Sequence, residues 1–436
     1  MSFVVEPSAI ESGVITVPGD KSISHRALML GAAASGTTSI SGFLAGEDCL
    51  ATAEALRSMG VTIEQPKDTE VLVHGSGLAD WIKPDGPIDL GNSGTAIRLF
   101  AGLLSGSPFP TELTGDESLM SRPMNRVIRP LTMMGAEIAS DGGMPPLQIK
   151  GVRDLAGIDY RLPVASAQVK SAILLAGLRA EGDITIEEPA VTRDHTERML
   201  RSMGAVVTQG GTRIQMRGGQ SLNGVQVEVP ADLSSAAFLI LAATIGKAVT
   251  LEIPGVGINP TRTGMIDILQ AMGADISLNN VRLQGEEPVA DLIVRSASLT
   301  GIDVDPAKVS LAIDEFPVLF IAAACAEGRT RFSGIGELRV KESDRIFAMA
   351  DGLRALGISV DESEDGAVVQ GGRIRGGHVA SHGDHRIAMS FAIAGTVADH
   401  PVTVSDTRNV DTSFPGFVDC LQSLGVSITR VEEKRE

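Results

Sequence analysis

Aromatic residues are scarce in this 436-residue sequence, at 3 % of the chain with one tryptophan and one tyrosine. Aliphatic side chains and methionine must therefore fill the core. The three cysteines, Cys49, Cys325 and Cys420, lie far apart and fit neither a disulfide framework nor a zinc-binding spacing. The sequence lacks the pattern of an export or organelle signal, and its apolar runs are too short to span a bilayer. We therefore expect a cytoplasmic protein without a membrane partner.

Positive charge is also in short supply. The sequence has 37 Lys and Arg residues against 54 Asp and Glu residues, which gives a net charge of −17. Nucleic-acid binding needs a basic face and aromatic platforms for the bases, and neither is evident. The composition therefore argues against nucleic acid as a partner. It does not argue against a small anionic ligand, because a site can be locally basic on an acidic protein.

A short signature, Leu followed by two residues, Met or Leu, and Gly, recurs six times. Its glycines are Gly60, Gly135, Gly204, Gly273, Gly357 and Gly425. Each copy ends a helical pattern with glycine in the C′ position, and a strand-like run follows. Between the copies, polar turns open into Ala-rich helices that are apolar nearly all round, as expected for helices enclosed by sheets. The repeat predicts an α/β fold of six units around internal helices. A repeat protein without catalytic chemistry is the alternative at this stage.

Cations stand near the start of several of these apolar helices: Lys21 and Arg26, Arg98, Lys170, and Arg386. A helix N-terminus carries about half a positive charge, so each cation there is disfavoured by roughly 0.3–1 kcal/mol. An anion in front of the helices would offset that cost. Helix capping explains any single turn of this kind. Several such turns at equivalent positions of a repeat favour an anion-binding site.

Further charged clusters lie at 121–126, 192–197 and 339–345. Capping is the alternative explanation for the cluster at 192–197, and a solvated face is the alternative for the cluster at 339–345. Asp314 and Glu315 begin an otherwise apolar helix, where Asp314 could also serve as an N-cap. The cluster at 339–345 lies directly before an apolar helix in the repeat unit that contains these two carboxylates, and this position favours a functional role for the cluster.

Nine motifs follow one another in the order found in the 5-enolpyruvylshikimate-3-phosphate synthase family: GDKSISHRA, GNSGTAIR, RPMNR, SAQVKS, TRDHTE, NPTRTG, VKESDR, GDHRIAM and TSFPGF. The chain resembles this family from end to end. The resemblance implies a two-lobed, inside-out α/β barrel of six repeated βαβαββ units with helices buried inside the sheets. One lobe would span 20–228 and the other 1–19 and 229–436, with the active site in the interlobe cleft.

The resemblance also implies an activity: transfer of the enolpyruvyl group of phosphoenolpyruvate to the 5-hydroxyl of shikimate 3-phosphate, with release of phosphate. This addition–elimination is a step of the shikimate pathway towards chorismate and the aromatic amino acids, and the family is the target of glyphosate. No metal or organic cofactor is implied, and the family expectation is a monomer.

Carried over by motif, the shikimate 3-phosphate ligands would be Lys21, Ser22, Arg26, Ser166, Ala167, Gln168, Arg193, Asp314 and Lys341. The phosphoenolpyruvate ligands would be Lys21, Gly94, Thr95, Arg122, Gln168, Arg345 and Arg386. Lys21, Asp314 and Glu342 would be catalytic, the two carboxyl groups as acid and base. Several cations are expected in such a site, because each substrate carries both a carboxylate and a phosphate whose charges must be offset. Arginine suits bidentate contact with such groups, and lysine acts as a point charge.

Two positions depart from the family pattern. Many relatives carry a lysine that contacts phosphoenolpyruvate just before the TSFP segment, whereas this chain has Asp411 and Thr412. Leu99 stands where other relatives have proline. The response to glyphosate stays open, because Gly94 leaves room in the pocket while the RPMNR, SAQVK and NPTR motifs resemble the branch that often includes tolerant enzymes.

Two alternatives remain from the sequence. The sister enzyme that acts on UDP-N-acetylglucosamine has Lys-Asn where this chain has Lys21 and Ser22, and a reactive cysteine on a loop where residues 114–126 contain none. A non-catalytic anion-binding protein of the same fold is the other. Retention of Lys21, Asp314, Glu342 and Arg386 together argues against it.

Overall fold

A computed structural model describes residues 1–432, so positions 433–436 of the predicted second lobe lie outside the described residues. The chain divides into two compact units. One, here called the inserted unit, comprises Gly19–Val229 and Gln284–Glu287. The other, here called the terminal unit, comprises Met1–Pro18, Pro230–Leu283 and the chain from Pro288 on. Within residues 1–432, none of the helices combines the length and apolar character that a membrane crossing requires.

Most of the strands are short. They are β1 (Ser2–Val5), β2 (Gly13–Val14), β3 (Ser35–Ser41), β4 (Thr62–Lys67), β5 (Glu70–Ser76), β6 (Ile88–Asp89), β7 (Thr111–Thr114), β8 (Ile138–Asp141), β9 (Met144–Ile149), β10 (Leu155–Ala156), β11 (Asp159–Arg161), β12 (Ala180–Glu181), β13 (Asp183–Glu187), β14 (Val207–Gly210), β15 (Arg213–Arg217), β16 (Gln226–Glu228), β17 (Thr250–Gly257), β18 (Asp275–Gln284), β19 (Glu287–Arg295), β20 (Arg329–Ser333), β21 (Ser359–Ser363), β22 (Gly366–Gln370), β23 (Gly377–Ala380), β24 (Val402–Ser405) and β25 (Ile428–Val431). Several neighbouring pairs, such as β4 with β5 and β21 with β22, are joined by tight turns.

The helices alternate with these strands. They are α1 (Lys21–Ala33), α2 (Glu47–Ser58), α3 (Gly94–Leu104), α4 (Glu117–Met120), α5 (Asn125–Met133), α6 (Ala167–Gly177), α7 (His195–Ser202), α8 (Leu233–Ile245), α9 (Gly264–Ala271), α10 (Val309–Ala312), α11 (Phe316–Cys325), α12 (Arg345–Ala355), α13 (His385–Thr396) and α14 (Phe417–Ser423). Short 3-10 helices lie at Leu78–Asp80, Pro306–Lys308, Gly336–Val340 and Arg408–Thr412.

The inserted unit contains three four-stranded sheets of the same strand pattern. Their orders are β16-β3-β5-β4, β6-β7-β9-β8 and β11-β13-β15-β14. In each sheet the first two strands are parallel and the remaining pairs are antiparallel. The unit has its own hydrophobic core, to which helices α1, α3 and α6 contribute most of their side chains.

The terminal unit is built on a similar pattern. Its sheets are β23-β24-β1-β25, β18-β19-β17-β2 and the three-stranded β20-β22-β21. Helices α8, α11 and α13 fill a second hydrophobic core, and nearly every residue of α8 is buried. Side chains on all faces of these helices are apolar because each helix is surrounded by protein rather than by water.

The six signature glycines all have positive φ, between 81° and 106°. Each follows a helix, and a strand begins two or three residues later. A residue with a Cβ atom is strained in this backbone conformation, so glycine ends the helix and turns the chain into the strand. The predicted helix ends at these positions are confirmed.

Capping side chains set the start of most buried helices. The carboxylate of Asp20 accepts a hydrogen bond from the Ile23 amide at the start of α1, and Ser93 caps α3 by accepting from the Ala96 amide. Ser166, Asp232 and Asp384 cap α6, α8 and α13 in the same way. Replacing such a cap by alanine costs roughly 0.5–2 kcal/mol. The polar turns noted in the sequence therefore fix the helix N-termini that carry the predicted site residues.

Candidate active site

Lys21 is the first residue of α1. Its Nζ atom lies 2.9 Å from Oδ2 of Asp48 on α2, and a fifth of the lysine side chain, 21 %, stays exposed. The next residue, Ser22, is partly exposed at the same helix start. The ammonium group is thus held at the surface of the inserted unit, with one carboxylate behind it.

Arg26 lies one turn further along α1 and is almost entirely buried. Its Nε atom donates to Oγ1 of Thr196 at 2.7 Å, and Nη2 donates to Oγ of Ser171 at 2.9 Å. Nη1 donates to the Ser22 carbonyl at 2.9 Å. Burial lowers the pKa of Arg26 to about 10, which still leaves it charged at neutral pH. The guanidinium group therefore links α1 to α6 and α7 and holds positive charge close behind the helix starts.

Gly94 and Thr95 begin α3 and meet the start of α6. Nε2 of Gln168 donates to Oγ1 of Thr95 at 3.0 Å. Nη1 of Arg98 donates both to the Gly94 carbonyl at 2.9 Å and to Oε1 of Gln168 at 3.0 Å. Arg98 thus contacts two predicted site residues, Gly94 and Gln168. The motif assignment did not include it, although its place near a helix start had marked it as a cation of interest.

Arg122 approaches the same turn from the loop before α5. Its Nη2 atom donates to Oδ1 of Asn92 at 2.6 Å and to Oγ of Ser118 at 3.1 Å. Nδ2 of Asn92 donates in turn to Oδ2 of Asp116 at 2.7 Å. A Cβ atom added at Gly94 would lie 3.0 Å from Nη1 of Arg122. Bare backbone therefore faces the guanidinium group, which is the arrangement that lets a small anion approach both.

The remaining predicted residues of the inserted unit lie at the starts of α6 and α7. Ser166 is the N-cap of α6, Ala167 is its first residue, and both are partly exposed together with Gln168. Arg193 lies two residues before α7, and its charge acts on Arg26. The structure thus brings the predicted residues of this unit to neighbouring helix starts.

The cation Lys170 departs from its predicted role. It is fully buried in α6, with its Nζ atom 3.0 Å from Oε2 of Glu188 and 2.8 Å from Oε1 of Glu197. Two carboxylates already balance its charge, so Lys170 does not face an anion in front of the helix. The prediction failed because its partners lie 18 and 27 residues away, outside any local pattern.

In the terminal unit, Arg345 is buried among three carboxylates. Its Nε atom lies 2.8 Å from Oδ2 of Asp384, its Nη2 atom 2.6 Å from Oε2 of Glu342, and its Nη1 atom 3.5 Å from Oδ1 of Asp314. Burial alone would lower the pKa of Arg345. The carboxylates, Asp384 foremost, outweigh burial and raise the pKa above its usual value.

Asp314, Lys341 and Arg386 complete this cluster. Nζ of Lys341 lies 3.5 Å from Oδ1 of Asp314, so one carboxylate oxygen stands between two cations. Nη1 of Arg386 donates to the Asp314 carbonyl at 3.0 Å and lies 3.6 Å from Oε1 of Glu315. Asp314 is not a helix N-cap, because Glu315 occupies the position before α11 and makes no capping hydrogen bond with its side chain.

A second buried network supports the Arg386 side of the cluster. Nη2 of Arg262 lies 3.4 Å from Oδ1 of Asp232 and 3.6 Å from Oε1 of Glu315. Ser234 hydrogen-bonds to both Arg262 and Glu315. The NPTR and GDHR motifs carry Arg262 and Asp384, so the sequence held a signal for these two supporting residues. Asp48, the partner of Lys21, lies in no such motif.

The segment that departs from the family pattern forms the 3-10 helix at Arg408–Thr412. Both oxygens of Asp411 accept hydrogen bonds from Arg430 at 2.9 Å. The hydroxyl of Thr412 is buried and donates to the Asn409 carbonyl at 2.7 Å. Leu99, the other departure, is fully buried within α3.

Chemically, each unit offers cations set among capped helix starts, and the terminal unit adds partly exposed carboxyl groups. Such groups can bind carboxylates and phosphates and can transfer protons. Fold and site together define an α/β protein equipped to act on small anionic substrates. The model of the family described as "EPSP synthase (3-phosphoshikimate 1-carboxyvinyltransferase)" matches residues 5–421, and the chain belongs to this family.

Relatives and solved structures agree with this assignment. A 3-phosphoshikimate 1-carboxyvinyltransferase of Alkalilimnicola ehrlichii is 57 % identical, over 99 % of this chain and 97 % of the relative. One of Nitrosococcus oceani is 54 % identical, over 98 % of this chain and 97 % of the relative. The structure of EPSP synthase from Acinetobacter baumannii has a TM-score of 0.88 and 50 % identity and covers 98 % of this chain and 100 % of that one. The enolpyruvyl transferase NikO from Streptomyces tendae, at 18 % identity, TM-score 0.78 and 98 % coverage of both chains, shares the fold.

Proposed function

We infer that this chain is a 3-phosphoshikimate 1-carboxyvinyltransferase. It transfers the enolpyruvyl group of phosphoenolpyruvate to the 5-hydroxyl of shikimate 3-phosphate and releases phosphate. The observation that carries this inference is the 54–57 % identity, over nearly the whole chain, to relatives of that name. The acceptor UDP-N-acetylglucosamine is not favoured by any of these relatives.

Binding of the substrates is proposed for the residues assigned by motif. For shikimate 3-phosphate these are Lys21, Ser22, Arg26, Ser166, Ala167, Gln168, Arg193, Asp314 and Lys341. For phosphoenolpyruvate they are Lys21, Gly94, Thr95, Arg122, Gln168, Arg345 and Arg386. The hydrogen bonds from Gln168 to Thr95 and from Arg98 to Gln168 support this assignment, because they hold the starts of α3 and α6 together. To the second set we add Arg98, which lies beside the Gly94 carbonyl.

Proton transfer is proposed for the carboxyl groups of Glu342 and Asp314. In the addition step a carboxylic acid protonates the methylene carbon of phosphoenolpyruvate, and the substrate hydroxyl oxygen bonds to the neighbouring carbon while a base takes its proton. In the elimination step that methyl group loses a proton, the double bond forms again, and phosphate leaves. Nearby cations stabilise the negative charge on the departing phosphate, with Lys21 proposed as one of them.

Asp314 fits the role of the base. Its Oδ1 atom lies 3.5 Å from both Nζ of Lys341 and Nη1 of Arg345, and neighbouring cations favour an ionised carboxylate. Glu342 is held by Arg345 at 2.6 Å, and its side chain is more exposed than that of Asp314, at 27 % against 17 %. We assign the hydroxyl proton to Asp314 and the proton donated to carbon to the more exposed Glu342.

The finer architecture is also proposed. The shared strand order of the sheets, together with the six signature glycines, supports six βαβαββ units arranged as an inside-out α/β barrel in two lobes, 20–228 and 1–19 with 229–436. A monomeric, cytoplasmic enzyme without a cofactor is proposed on the family resemblance.

Phosphate release from phosphoenolpyruvate tests the function directly. We expect release with shikimate 3-phosphate and none with UDP-N-acetylglucosamine. Release with UDP-N-acetylglucosamine alone would keep the chemistry and overturn the acceptor. If neither acceptor gives phosphate release but calorimetry shows tight binding of shikimate 3-phosphate, a non-catalytic binding protein would be favoured.

A further inference from the structure

Helices α1 and α2 of the inserted unit are joined by two side-chain contacts one turn apart. The first is the ion pair of Lys21 with Asp48, at 2.9 Å. The second lies four residues further along both helices, where Nδ1 of His25 is 2.8 Å from Oγ1 of Thr52. His25 and Thr52 are fully buried, so this second contact is protected from water.

The hydrogen bonds around His25 select one tautomer of its ring. The hydroxyl of Thr52 donates to the Asp48 carbonyl at 3.3 Å and is then free to accept a proton from Nδ1 of His25. On the other side of the ring, Nε2 lies 3.4 Å from Oγ of Ser93. That oxygen already accepts from the Ala96 amide at 3.1 Å, so its own proton can go to Nε2. Of the two neutral tautomers, only the one with its proton on Nδ1 satisfies all of these bonds.

The charges around His25 also favour the neutral ring. Asp20, Lys21 and Arg26 lie on its own helix and cap, and the carboxylate of Asp48 on α2 is occupied by Lys21. Burial, followed by the charges of Lys21 and Arg26, lowers the pKa of His25 to about 3. The ring therefore gains no proton at the pH of a cytoplasm.

Ser93 gives this buried histidine a link to the site. It is the N-cap of α3, and the two residues that follow it are Gly94 and Thr95, both proposed ligands of phosphoenolpyruvate. His25 thus touches α1, α2 and the turn that opens α3, all within the inserted unit. Its side chain is the spacer between the helix start that carries Lys21 and the helix start that carries Gly94.

We propose that His25 is a positioning residue, held as the neutral Nδ1–H tautomer, which sets the distance between Lys21 and the Gly94–Thr95 turn for binding of phosphoenolpyruvate. It contacts no substrate and takes no part in proton transfer. The part of this inference that concerns phosphoenolpyruvate rests on the proposed function, whereas the tautomer and the helix spacing do not.

The tautomer is tested by two-bond ¹H–¹⁵N correlation spectra of the full chain labelled with ¹⁵N-histidine, with the His25→Gln spectrum assigning the signal. The expected pattern is a neutral Nδ1–H ring from about pH 8 down to about pH 5.5, well above its lowered pKa. A protonated ring in that range, or a neutral ring with its proton on Nε2, would overturn the proposal. This result does not depend on turnover, so it stands apart from any failure of the proposed function.

The positioning role is tested by steady-state kinetics of His25→Leu and His25→Gln. Leucine fills similar space without hydrogen bonds, and we expect it to raise KM for phosphoenolpyruvate about tenfold with kcat within about threefold of the unchanged enzyme. The glutamine amide can accept from Ser93 and should restore KM to within about threefold. The matched control is His74→Gln, because His74 is exposed and pairs with Glu64 in the same unit.

An unchanged KM in the leucine variant would overturn the positioning role. So would a loss in kcat alone, or equal losses in the leucine and glutamine variants. Cooperative thermal unfolding of each variant shows that it is folded before its kinetics are compared. Should the leucine variant not fold, KM of the glutamine variant decides the matter, since a rise of more than about tenfold there would contradict rescue.

Discussion

The Oε2 atom of Glu342 lies 2.6 Å from the Nη2 atom of Arg345, three residues along the chain. Arg345 is 1 % exposed, whereas Glu342 is 27 % exposed. One oxygen of the glutamate is thus held by a buried cation, and the side chain still reaches the surface of the terminal unit. Such a carboxyl group is fixed in place and remains accessible to a substrate.

Replacing either proposed acid–base residue should slow the reaction rather than prevent binding. We expect Glu342→Gln and Asp314→Asn each to lower kcat by roughly 10²–10⁴, with a smaller change in KM, because the amide cannot exchange the proton. Steady-state phosphate release measures both constants. Glu364→Gln, an exposed change in the same unit, is the control. Losses below about tenfold in both variants would remove the acid–base assignment.

Gly94→Ala should weaken binding of phosphoenolpyruvate. Its Cβ atom would lie 2.8 Å from Nη1 of Arg98 and 3.0 Å from Nη1 of Arg122, so both guanidinium groups must shift. We expect KM for phosphoenolpyruvate to rise about tenfold, which corresponds to about 1.4 kcal/mol. Gly210→Ala is the control, since a Cβ atom there meets nothing within 4 Å. An equal change in KM for phosphoenolpyruvate in the two alanine variants would show that contact of the added Cβ atom with Arg98 and Arg122 does not weaken binding.

Lys170→Met should destabilise the fold. The change leaves Glu188 and Glu197 buried without their cation, and breaking a buried ion pair in this way costs about 3–5 kcal/mol. Urea unfolding followed by circular dichroism measures the difference. In the control Lys150→Met, the exposed pair with Glu137 is lost, and we expect little change in stability because water screens this pair. A similar loss of unfolding free energy in both variants would mean that the buried contacts of Lys170 with Glu188 and Glu197 stabilise the fold no more than an exposed pair does.

Acid should destabilise the protein in part through His25. In the unfolded chain this residue takes up a proton near its ordinary pKa of 6.5, whereas in the folded protein its pKa is lowered to about 3 by burial and by Lys21 and Arg26. Above about pH 6.5 the ring is neutral in both states, so its titration does not change the unfolding free energy. As the pH falls from there towards 3, only the unfolded chain takes up the proton, and the unfolding free energy falls.

The unfolding free energy of His25→Gln should accordingly fall less steeply between about pH 6 and pH 4. The difference in slope from the unchanged protein is at most about 1.4 kcal/mol per pH unit, the value for one proton. Chemical unfolding at a series of pH values measures it, with the exposed His74→Gln as the comparison. Parallel curves for His25→Gln and the unchanged protein would contradict the lowered pKa.

Asp411→Asn should leave substrate binding unchanged. Both of its carboxylate oxygens bind Arg430, and the two side chains are about a third exposed, so the pair contributes about 1 kcal/mol or less. We expect KM for phosphoenolpyruvate within about twofold of the unchanged enzyme. A larger rise would place Asp411 at the site in spite of its bond to Arg430.

Local patterns predicted the helix ends and the capped helix starts, because a glycine with positive φ or a serine cap acts within a few residues. Gly60 and Ser93 are examples. The partners of buried charges were not predictable in this way. Asp48 reaches Lys21 from another helix, and Glu197 reaches Lys170 from 27 residues away. Such pairs depend on how the helices pack against one another, and local patterns in a single sequence do not reveal that packing.

Strand β1 lies between β24 and β25, so the first strand of the chain pairs with the last two. During synthesis β1 leaves the ribosome well before β24 and β25, and it has no partner in its sheet until they are made. The inserted unit, in contrast, holds the partners of its strands within its own sequence and can form early. The N-terminal strand thus spends the longest time as an unpaired edge, and it is the segment for which a chaperone or a delay in translation would matter most.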